Sequence, residues 1–386
     1  MGLLRFALAV AVLVHHSGPL FGWEATRLVG GPVAVQIFFM ISGFYMSLVL
    51  RERYVGPGST RRFWSNRWLR LVPCYFAVLV ATIVGGVVIR YFAGEWPRPL
   101  SYWAVFGDQL STRAAAGLLA SHATIVGQDV VHFATFVPTD GDLHFTELVA
   151  GEVVPRTDVI SSPTAGWLFL MLPQCWSLSL EILFYFIAPF VLRRPLLMAG
   201  LFIGSLGVRA ALVSAGLTDD PWSYRFFPAE LSLFLLGSYT ERAWWRYKKT
   251  LGRARVFTTA VAIAYGALLV WPDSWPAATA GRWTEATLNL SPVCLASAGA
   301  LPALFALTKS SPWDAKIALY SYPIYVLHHT VVTFAIYLVP DQFASAPGVL
   351  TLVPTLIGAA LLVHGIEIPT DRYRRKRRPV TEVTKK

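Results

Sequence analysis

Long apolar runs recur through the chain and constrain its fold more than any other feature. Of the 386 residues, 55% are hydrophobic and 14% are charged, whereas soluble domains carry about 25% charge. A membrane core of about 30 Å needs a helix of roughly 20 apolar residues. The sequence therefore predicts an all-α polytopic membrane protein with about ten transmembrane helices. The predicted spans are residues 3–21, 33–50, 69–92, 167–191, 196–215, 226–240, 256–272, 288–307, 317–339 and 349–366.

The distribution of basic residues predicts how these spans are oriented. If the N-terminus is cytoplasmic and the spans alternate, most of the 33 Lys and Arg residues fall in cytoplasmic segments. This is the distribution that the positive-inside rule of membrane proteins predicts. Both termini are then cytoplasmic. Residues 1–371 form the transmembrane domain, 93–165 form a long outer loop, and 372–386 form a basic cytoplasmic tail. The net charge of +11 is thus explained by topology and by contact with membrane lipid, and we expect no nucleic-acid partner.

One part of the predicted outer loop, residues 114–137, is itself moderately apolar. A span there would move Arg193 and Arg194 outside the cytoplasm, against the rule that the other loops obey. We therefore interpret 114–137 as an outer-face helix or loop.

Residue types that bind metals are present, but not in the pattern of a metal site. The three cysteines lie within or beside apolar runs, which is typical of small core residues. The polar candidates in the outer loop match no zinc-ligand spacing; they are His122, His132, Asp142 and His144. We expect no metal ion.

The first span carries ionisable residues near both ends. On an ideal helix the eleven steps from Arg5 to His16 leave a net rotation of roughly 20° and a rise of roughly 16 Å, so both side chains lie on one stripe. His15 lies about 80° off that stripe. Ionisable groups in an apolar span are costly and point to function. The alternative is that Arg5 is a positive flank and the histidines lie at the membrane interface.

Further ionisable residues occur in other spans. Arg67 and Arg70 are i, i+3 neighbours at the predicted cytoplasmic mouth of the third span. Three converging arginines, with Arg5 as the third, suit a multiply phosphorylated ligand, because guanidinium groups bind phosphate oxygens in a fork. Positive-inside flanking is again the alternative. Arg209 and Glu230 are predicted to neutralise each other.

Glu181 lies in an apolar span on one helix face with Ser177 and Tyr185, at i, i+4 and i+8 spacing. A carboxylate there needs a partner. We predict that Glu181 orients the imidazole of His16 and raises its basicity, which would make His16 a general base for a hydroxyl. His328 and His329 are reserve candidates for the base.

Six motifs in chain order resemble those of the membrane-bound acyltransferase 3 family. They are Arg5-x10-His16, Gln36-Ile-Phe-Phe-Met-Ile-Ser42-Gly43-Phe44, Arg67-x-x-Arg70-Leu-Val-Pro73, Trp176-Ser-Leu-Ser-Leu-Glu181-x-x-Phe184-Tyr185, Ser321-Tyr-Pro-Ile-Tyr-Val-Leu-His328 and Glu367-Ile-Pro369. Together they cover nearly the whole chain.

The resemblance implies a ten-helix enzyme that moves an acyl group, often acetyl, from cytoplasmic acyl-CoA to a hydroxyl of a glycan or small molecule. It implies that His16 is catalytic and that Arg5, Arg67 and Arg70 bind the donor. It also implies an integral protein of a bacterial inner membrane. The chain departs from the family pattern at Gln36, where an acid is common. It departs again at Ile182, which replaces a frequent second acid, and before Arg5, where the usual Asp is missing.

Two other classes of protein remain as alternatives. A secondary transporter or flippase for a glycan or lipid-linked sugar would also bury ionisable residues. The sequence has no inverted repeat of the kind many transporters show, and it has the Arg5–His16 stripe, so we favour the enzyme. A non-catalytic scaffold would leave the burial of His16 and Glu181 unexplained.

Overall fold

A helix forms at every predicted span in the computed structural model, which describes residues 1–20, 29–145, 164–222, 224–270, 288–340, 342 and 346–376. The α-helices are α1 Gly2–Ser17, α2 Gly31–Glu52, α3 Ser59–Ala93, α4 Leu100–Phe106, α5 Thr112–Thr124, α6 Gln128–Val131, α7 Trp176–Val191, α8 Pro195–Ser214, α9 Phe227–Arg253, α10 Arg255–Val270, α11 Pro292–Thr308, α12 Pro312–Leu338, α13 Pro347–Leu362 and α14 Ile368–Lys376. A π-helical turn, Val363–Glu367, joins α13 to α14. The tail beyond residue 376 and residues 146–163 of the predicted outer loop lie outside the described residues.

Some of these helices are long and apolar enough to cross a membrane. Within the described ranges there are five, or six if α9 and α10 count as one span bent by 114°. The helices α1 and α11 are apolar but shorter. The helical membrane fold is thus confirmed, whereas the count of ten spans and the cytoplasmic location of both termini stay predictions.

The outer surface of α8 shows why such a fold needs lipid. The apolar side chains of Leu196 and Ile203 are 88% and 68% exposed, while the polar residues Ser205 and Arg209 on the same helix are buried. A helix in water would turn its apolar side inwards. The reverse arrangement is stable only where the surroundings are themselves apolar.

The predicted pairing of Arg209 with Glu230 is confirmed. The guanidinium of Arg209 forms an ion pair with the carboxylate of Glu230, and both side chains are buried. Arg209 Nε also donates to the Ala229 carbonyl oxygen at 3.0 Å. The pair fixes α8 against the start of α9, because a buried charge left alone would be costly.

Two glycines let α2 and α9 cross in close contact at the centre of the bundle. A Cβ atom on Gly43 would lie 1.8 Å from the carbonyl oxygen of Phe234, and one on Gly237 would lie 1.8 Å from that of Met40. Small residues at such crossings allow backbones to approach closely. The helix α1 packs along α12, where the Asp314 carboxylate accepts the backbone N–H of Gly2 at 2.6 Å.

Three predicted boundaries are wrong by more than two helical turns. The third span, predicted to begin at residue 69, is helical from Ser59. The fourth span, 167–191, becomes an α-helix only at Trp176, because two short 3-10 turns and Pro173 precede it. The sixth, 226–240, continues as helix to Arg253. Tertiary packing extends this amphipathic helix past the point where its apolar run ends.

The stretch 114–137 is not one continuous helix, and its location on the outer face stays a prediction. It contains α5, α6 and the strand β1, Ala134–Val137. This strand pairs antiparallel with β2, Asp142–Phe145, and with β3, Thr164–Ala165, in the order β2-β1-β3. The sheet departs from the all-α prediction, because such short strands leave too little alternation to detect in an apolar chain. Beneath it Phe106, Phe136 and Phe169 form a separate small core.

Candidate active site

Two cavities meet inside the bundle, and their shared wall includes Val35 and Tyr325. The arginine cavity, of about 260 Å³, is lined by Arg5, Arg67, Arg70, Glu181 and Tyr185, among others. The histidine cavity, of about 200 Å³, is lined by His15, His16, His329, Trp176 and Arg225, among others. The helix α1 contributes to both, with its arginine end at the first cavity and its histidine end at the second. The predicted separation of Arg5 and His16 along one helix is therefore built into the site.

The arginine cavity brings together the three arginines that the sequence singled out. Among the described residues, Arg5 and Arg67 form no ion pair with a carboxylate. The guanidinium of Arg67 lies over the rings of Phe63 and Tyr185, at 5.8 and 6.0 Å from their centroids, and its buried Nε has no hydrogen-bond partner. Cationic groups held beside aromatic faces, with donors unused, suit an anionic ligand.

Arg70 is held differently from the other two. It forms an ion pair with Glu367, a residue of the π-helical turn that follows α13. Its guanidinium also lies 5.5 Å from the ring centroid of Tyr322. Arg70 is thus paired and fixes α3 against the turn after α13, while Arg5 and Arg67 have no carboxylate partner among the described residues. Such π-helical turns are frequent at functional sites.

Glu181 lies in the arginine cavity rather than beside His16. Its carboxylate accepts hydrogen bonds from the hydroxyls of Ser42, at 2.7 Å, and Tyr185. Among the described residues no hydrogen bond or ion pair joins Glu181 to His16. The predicted contact between them is therefore wrong, because Glu181 lies on the other side of the shared wall. Two hydroxyl donors satisfy the carboxylate without a cation.

Four histidine rings cluster at the histidine cavity: His15, His16 and His329 line it, and His328 stacks on His16. His16 stacks on His328 with centroids 5.2 Å apart, and it meets His15 and His329 edge-on at 5.2 and 5.7 Å. The Nδ1 atom of His328 lies 2.6 Å from the carbonyl oxygen of Tyr325. A carbonyl oxygen only accepts hydrogen bonds, so Nδ1 carries the proton. The Nε2 atom of His328 is buried and has no hydrogen-bond partner.

His15 and His16 both line this cavity, so the helical stripe alone does not separate them. Their packing does. The ring of His15 lies against the backbone of α2, where a Cβ atom on Gly31 would come within 2.6 Å of it. The ring of His16 faces the histidines of α12 instead.

Arg225 is the residue of this cavity that the sequence reasoning missed. It pairs with Asp220 through two hydrogen bonds, at 2.5 and 2.8 Å, and its guanidinium lies 4.6 and 4.7 Å from the ring centroids of Trp176 and Tyr224. Burial raises the pKa of Tyr224 to about 12, so its hydroxyl stays protonated. Arg225, Asp220 and Tyr224 lie in the loop before α9, and Trp176 is the first residue of α7. Arg225 was missed because an ionisable residue in a loop is not unusual, whereas one in an apolar span is.

His132 also lines the histidine cavity. Its ring stacks on Trp167 at 6.1 Å, and burial lowers its pKa well below the usual range, so the ring is neutral near pH 7. Within the described ranges no group of three His, Cys, Asp or Glu side chains is placed to hold a metal ion.

The six motifs quoted from the sequence contact one another pairwise at these cavities. Ser42 bonds to Glu181, Arg70 pairs with Glu367 and His16 stacks on His328. The hydroxyls of Ser177 and Tyr325 are 2.6 Å apart. Residues far apart in the chain therefore build one site.

A family model described as "Acyltransferase domain" matches residues 1–364. The chain belongs to the acyltransferase 3 family. The putative membrane-bound transacylase BcsY of Komagataeibacter xylinus is 26% identical over 284 residues, which cover 71% of this chain and 58% of that protein. The peptidoglycan O-acetyltransferase OatA of Listeria monocytogenes is 29% identical over 86 residues, 22% of this chain and 13% of that protein. The chain thus spans only part of these relatives' length, and no solved structure matches it significantly.

Membership of the family makes the departure at Gln36 informative. The side-chain amide of Gln36 donates to Glu230 Oε1 at 3.3 Å, the same oxygen that pairs with Arg209. An acid at position 36 would place a second buried carboxylate beside Glu230, which is unfavourable. The neutral amide of Gln36 therefore fits beside the Arg209–Glu230 ion pair, where an acid would not.

Proposed function

We propose that this integral membrane protein is an O-acyltransferase that moves an acyl group from acyl-CoA to a hydroxyl. The observation that carries the proposal is the pair of cavities meeting at Val35 and Tyr325, one lined by arginines and the other by histidines. A transferase with a large anionic donor and a separate acceptor needs two binding regions joined at the reacting atoms.

On the donor side, the arginines Arg5, Arg67 and Arg70 bind the phosphates of acyl-CoA. Arg5 and Arg67 form no ion pair among the described residues, and fork-shaped guanidinium groups match phosphate oxygens. The pantetheine arm extends from them along α1 towards the shared wall. Glu181 acts on this side, where it holds the hydroxyls of Ser42 and Tyr185 along the path of the arm.

On the acceptor side, His16 removes the proton from the hydroxyl as its oxygen attacks the thioester carbonyl. The carbonyl carbon gains a bond to that oxygen and loses its bond to sulfur, and the proton passes from His16 to the departing CoA thiolate. The products are an ester and CoA thiol. His328, whose protonated Nδ1 is held by a backbone carbonyl, keeps the ring of His16 in place by stacking.

The names of the relatives give the proposed substrate class. One is a peptidoglycan O-acetyltransferase and the other a putative transacylase. We assign this chain an acetyl group from acetyl-CoA as donor and a glycan or small-molecule hydroxyl as acceptor, at a bacterial inner membrane with both termini cytoplasmic.

The direct test reconstitutes the purified protein in vesicles with acetyl-CoA and candidate acceptors. Free CoA thiol should appear with an acetylated acceptor of matching amount, and the variant H16A should abolish both. The matched control is H144A, since His144 is an exposed residue of β2, outside both cavities, and is paired with Asp140. Movement of acceptor across the vesicle without thiol release would instead establish the transporter.

A second experiment tests the arrangement across the membrane. Sealed, oriented vesicles receive donor on the side of the arginine cavity and acceptor on the other side. Acetylation is expected in this arrangement. If acetylation occurs only with both on the cytoplasmic side, transfer does not cross the membrane, although transferase activity itself stands.

A further inference from the structure

A third cavity, the basic pocket, lies apart from the two cavities of the site. It has a volume of about 510 Å³, and none of its lining residues lines either of the others. It forms where the ends of α2 and α7 meet the middle of α9, on the face that the basic residues predict to be cytoplasmic. Its lining includes four arginines: Arg51, Arg193, Arg242 and Arg246.

The charge of this pocket is not balanced. The carboxylate of Glu241 pairs with Arg51 at 3.0 Å and accepts the hydroxyl of Ser47 at 2.6 Å, so it is fully occupied. Within the described residues, Arg193, Arg242 and Arg246 form no ion pair. Three positive charges therefore remain in one concave region, which favours an anion.

Two of these three arginines are held in place by backbone. Arg242 Nη2 donates to the Leu192 carbonyl oxygen at 2.9 Å, and its buried Nε has no partner. Arg193 Nη2 donates to the Tyr54 carbonyl oxygen at 2.6 Å. A guanidinium has five N–H donors, so most remain available to a ligand, and their prior fixation lowers the entropic cost of binding.

Arginines at helix C-termini could instead serve only to satisfy carbonyl groups. That explains the bonds of Arg193 and Arg242 near the ends of α7 and α2. It does not explain Arg246, which makes no hydrogen bond or ion pair in the described part of the chain, nor the open pocket that the four side chains line.

The surface beside the pocket indicates the kind of anion. Phe190 and Leu196, three residues before and after Arg193 in the chain, are 52% and 88% exposed, and Trp245 at the pocket is 37% exposed. Exposed apolar chains next to a basic pocket fit acyl chains next to a phosphate, and tryptophan is typical of the headgroup level. A soluble anion would make no use of that apolar surface.

We propose that the basic pocket binds the phosphate headgroup of an anionic membrane phospholipid, whose acyl chains lie along α7 and α8. The lipid joins α2, α7 and α9 from the side and stabilises the bundle. The site does not depend on the proposed acyl transfer, because it shares no residue with the two cavities.

The test compares thermal unfolding of the purified protein in phosphatidylcholine vesicles with and without phosphatidylglycerol, with native mass spectrometry to count retained lipid. We expect phosphatidylglycerol to raise the Tm of the wild type by about 2–4 °C. The double variant Arg242→Gln, Arg246→Gln should lose this shift and the retained lipid. The matched control Arg61→Gln, Arg62→Gln removes two basic residues outside the pocket, at the start of α3, and should keep both.

Equal shifts in the pocket variant and the control would overturn the proposal. If inorganic phosphate without phosphatidylglycerol gives the full shift, the ligand is a soluble anion and the lipid assignment is wrong. If CoA displaces the retained lipid, the pocket belongs to the donor and the proposal also fails. Should the double variant not fold, Arg246→Gln alone carries the test, since this side chain has no structural bond to lose.

Discussion

The arginine cavity and the histidine cavity share a wall but differ in their charge balance. In the first, Arg5 and Arg67 have no carboxylate partner among the described residues, and Arg70 alone is paired, with Glu367. In the second, Arg225 is matched by Asp220, and burial keeps His132 neutral. The first cavity thus sets three arginines against the carboxylates of Glu181 and Glu367 and keeps an excess of positive charge, whereas the second is balanced.

Under the proposed function, this difference assigns one substrate to each cavity. Uncompensated arginines suit the phosphates of a nucleotide donor. A balanced, aromatic-lined cavity suits a neutral hydroxyl compound, because it offers hydrogen bonds and stacking surfaces without strong net charge. Substitutions in the two cavities should then affect different kinetic constants.

The largest effect is expected at His16. Removing a general base costs about 10²–10⁴-fold in rate, so His16→Ala should lower kcat by that amount. His15→Ala should retain much of the activity, since its ring packs on the backbone of α2. The two variants are compared by their rates of CoA thiol release, and the Tm of each shows whether it is folded. Loss at His15 and retention at His16 would assign the base to the other ring.

The next largest effect distinguishes Arg67 from Arg70 in the arginine cavity. Arg67→Ala should raise the KM for acetyl-CoA roughly 10–100-fold with little change in kcat, because a hydrogen bond to a charged group contributes about 1.5–3 kcal/mol. Arg67→Lys should rescue only in part, since lysine cannot form a fork.

Arg70→Ala should behave differently although it lines the same cavity. It should also raise the KM for acetyl-CoA, but it leaves the Glu367 carboxylate unpaired, and breaking a buried ion pair costs about 3–5 kcal/mol. Thermal unfolding should therefore show a clear drop in Tm for Arg70→Ala and little for Arg67→Ala. Equal Tm values would mean that the Arg70–Glu367 pair does not support the bundle.

A smaller effect is expected at Arg225 on the acceptor side. Arg225→Gln should raise the KM for the acceptor about 10-fold and leave that for acetyl-CoA unchanged, because the guanidinium stacks on Trp176 inside the histidine cavity. Arg113→Gln, at an 89% exposed side chain, is the control. A rise in the donor KM instead would show that the cavities do not divide the substrates.

The smallest effect is expected at the shared wall. Tyr325→Phe removes a hydroxyl that lies 2.6 Å from the Ser177 hydroxyl and donates to the Gln174 carbonyl oxygen at 2.9 Å. A net loss near 1 kcal/mol predicts about a fivefold fall in kcat/KM for both substrates. The control Tyr265→Phe loses a similar buried bond, to Ser297, and should change only stability. Identical kinetics in the two variants would make the wall purely structural.

Parts of this arrangement were accessible from the sequence. Local rules sufficed for the helices, because each apolar run exceeds what a soluble chain tolerates. The rise along α1 separated Arg5 from His16 by roughly 16 Å, about half of a membrane core, and the structure keeps them in different cavities. The partner of Arg209 was found because a buried arginine needs an acid and few acids occur in the spans.

Other contacts in the site could not be predicted from the sequence. Glu181 was assigned to His16 because both lie in apolar helices, but hydroxyls from α2 and from its own helix satisfy it first. Arg225 lies in a loop, where charge is ordinary, and only the folding of that loop over Trp176 makes it part of a cavity. The four-histidine cluster needs α1 and α12 side by side, which no local pattern encodes.

The sequence by itself determined the membrane class, the helices and the residue types that carry charge into them, because these follow from hydrophobicity and helical periodicity within single segments. Only the tertiary structure decided which residues meet: Arg70 with Glu367, Glu181 with Ser42 and Tyr185, and His16 with His328. The physical reason is that partners far apart in the chain are chosen by helix packing, where close crossings such as that at Gly43 and Gly237 fix which faces come into contact.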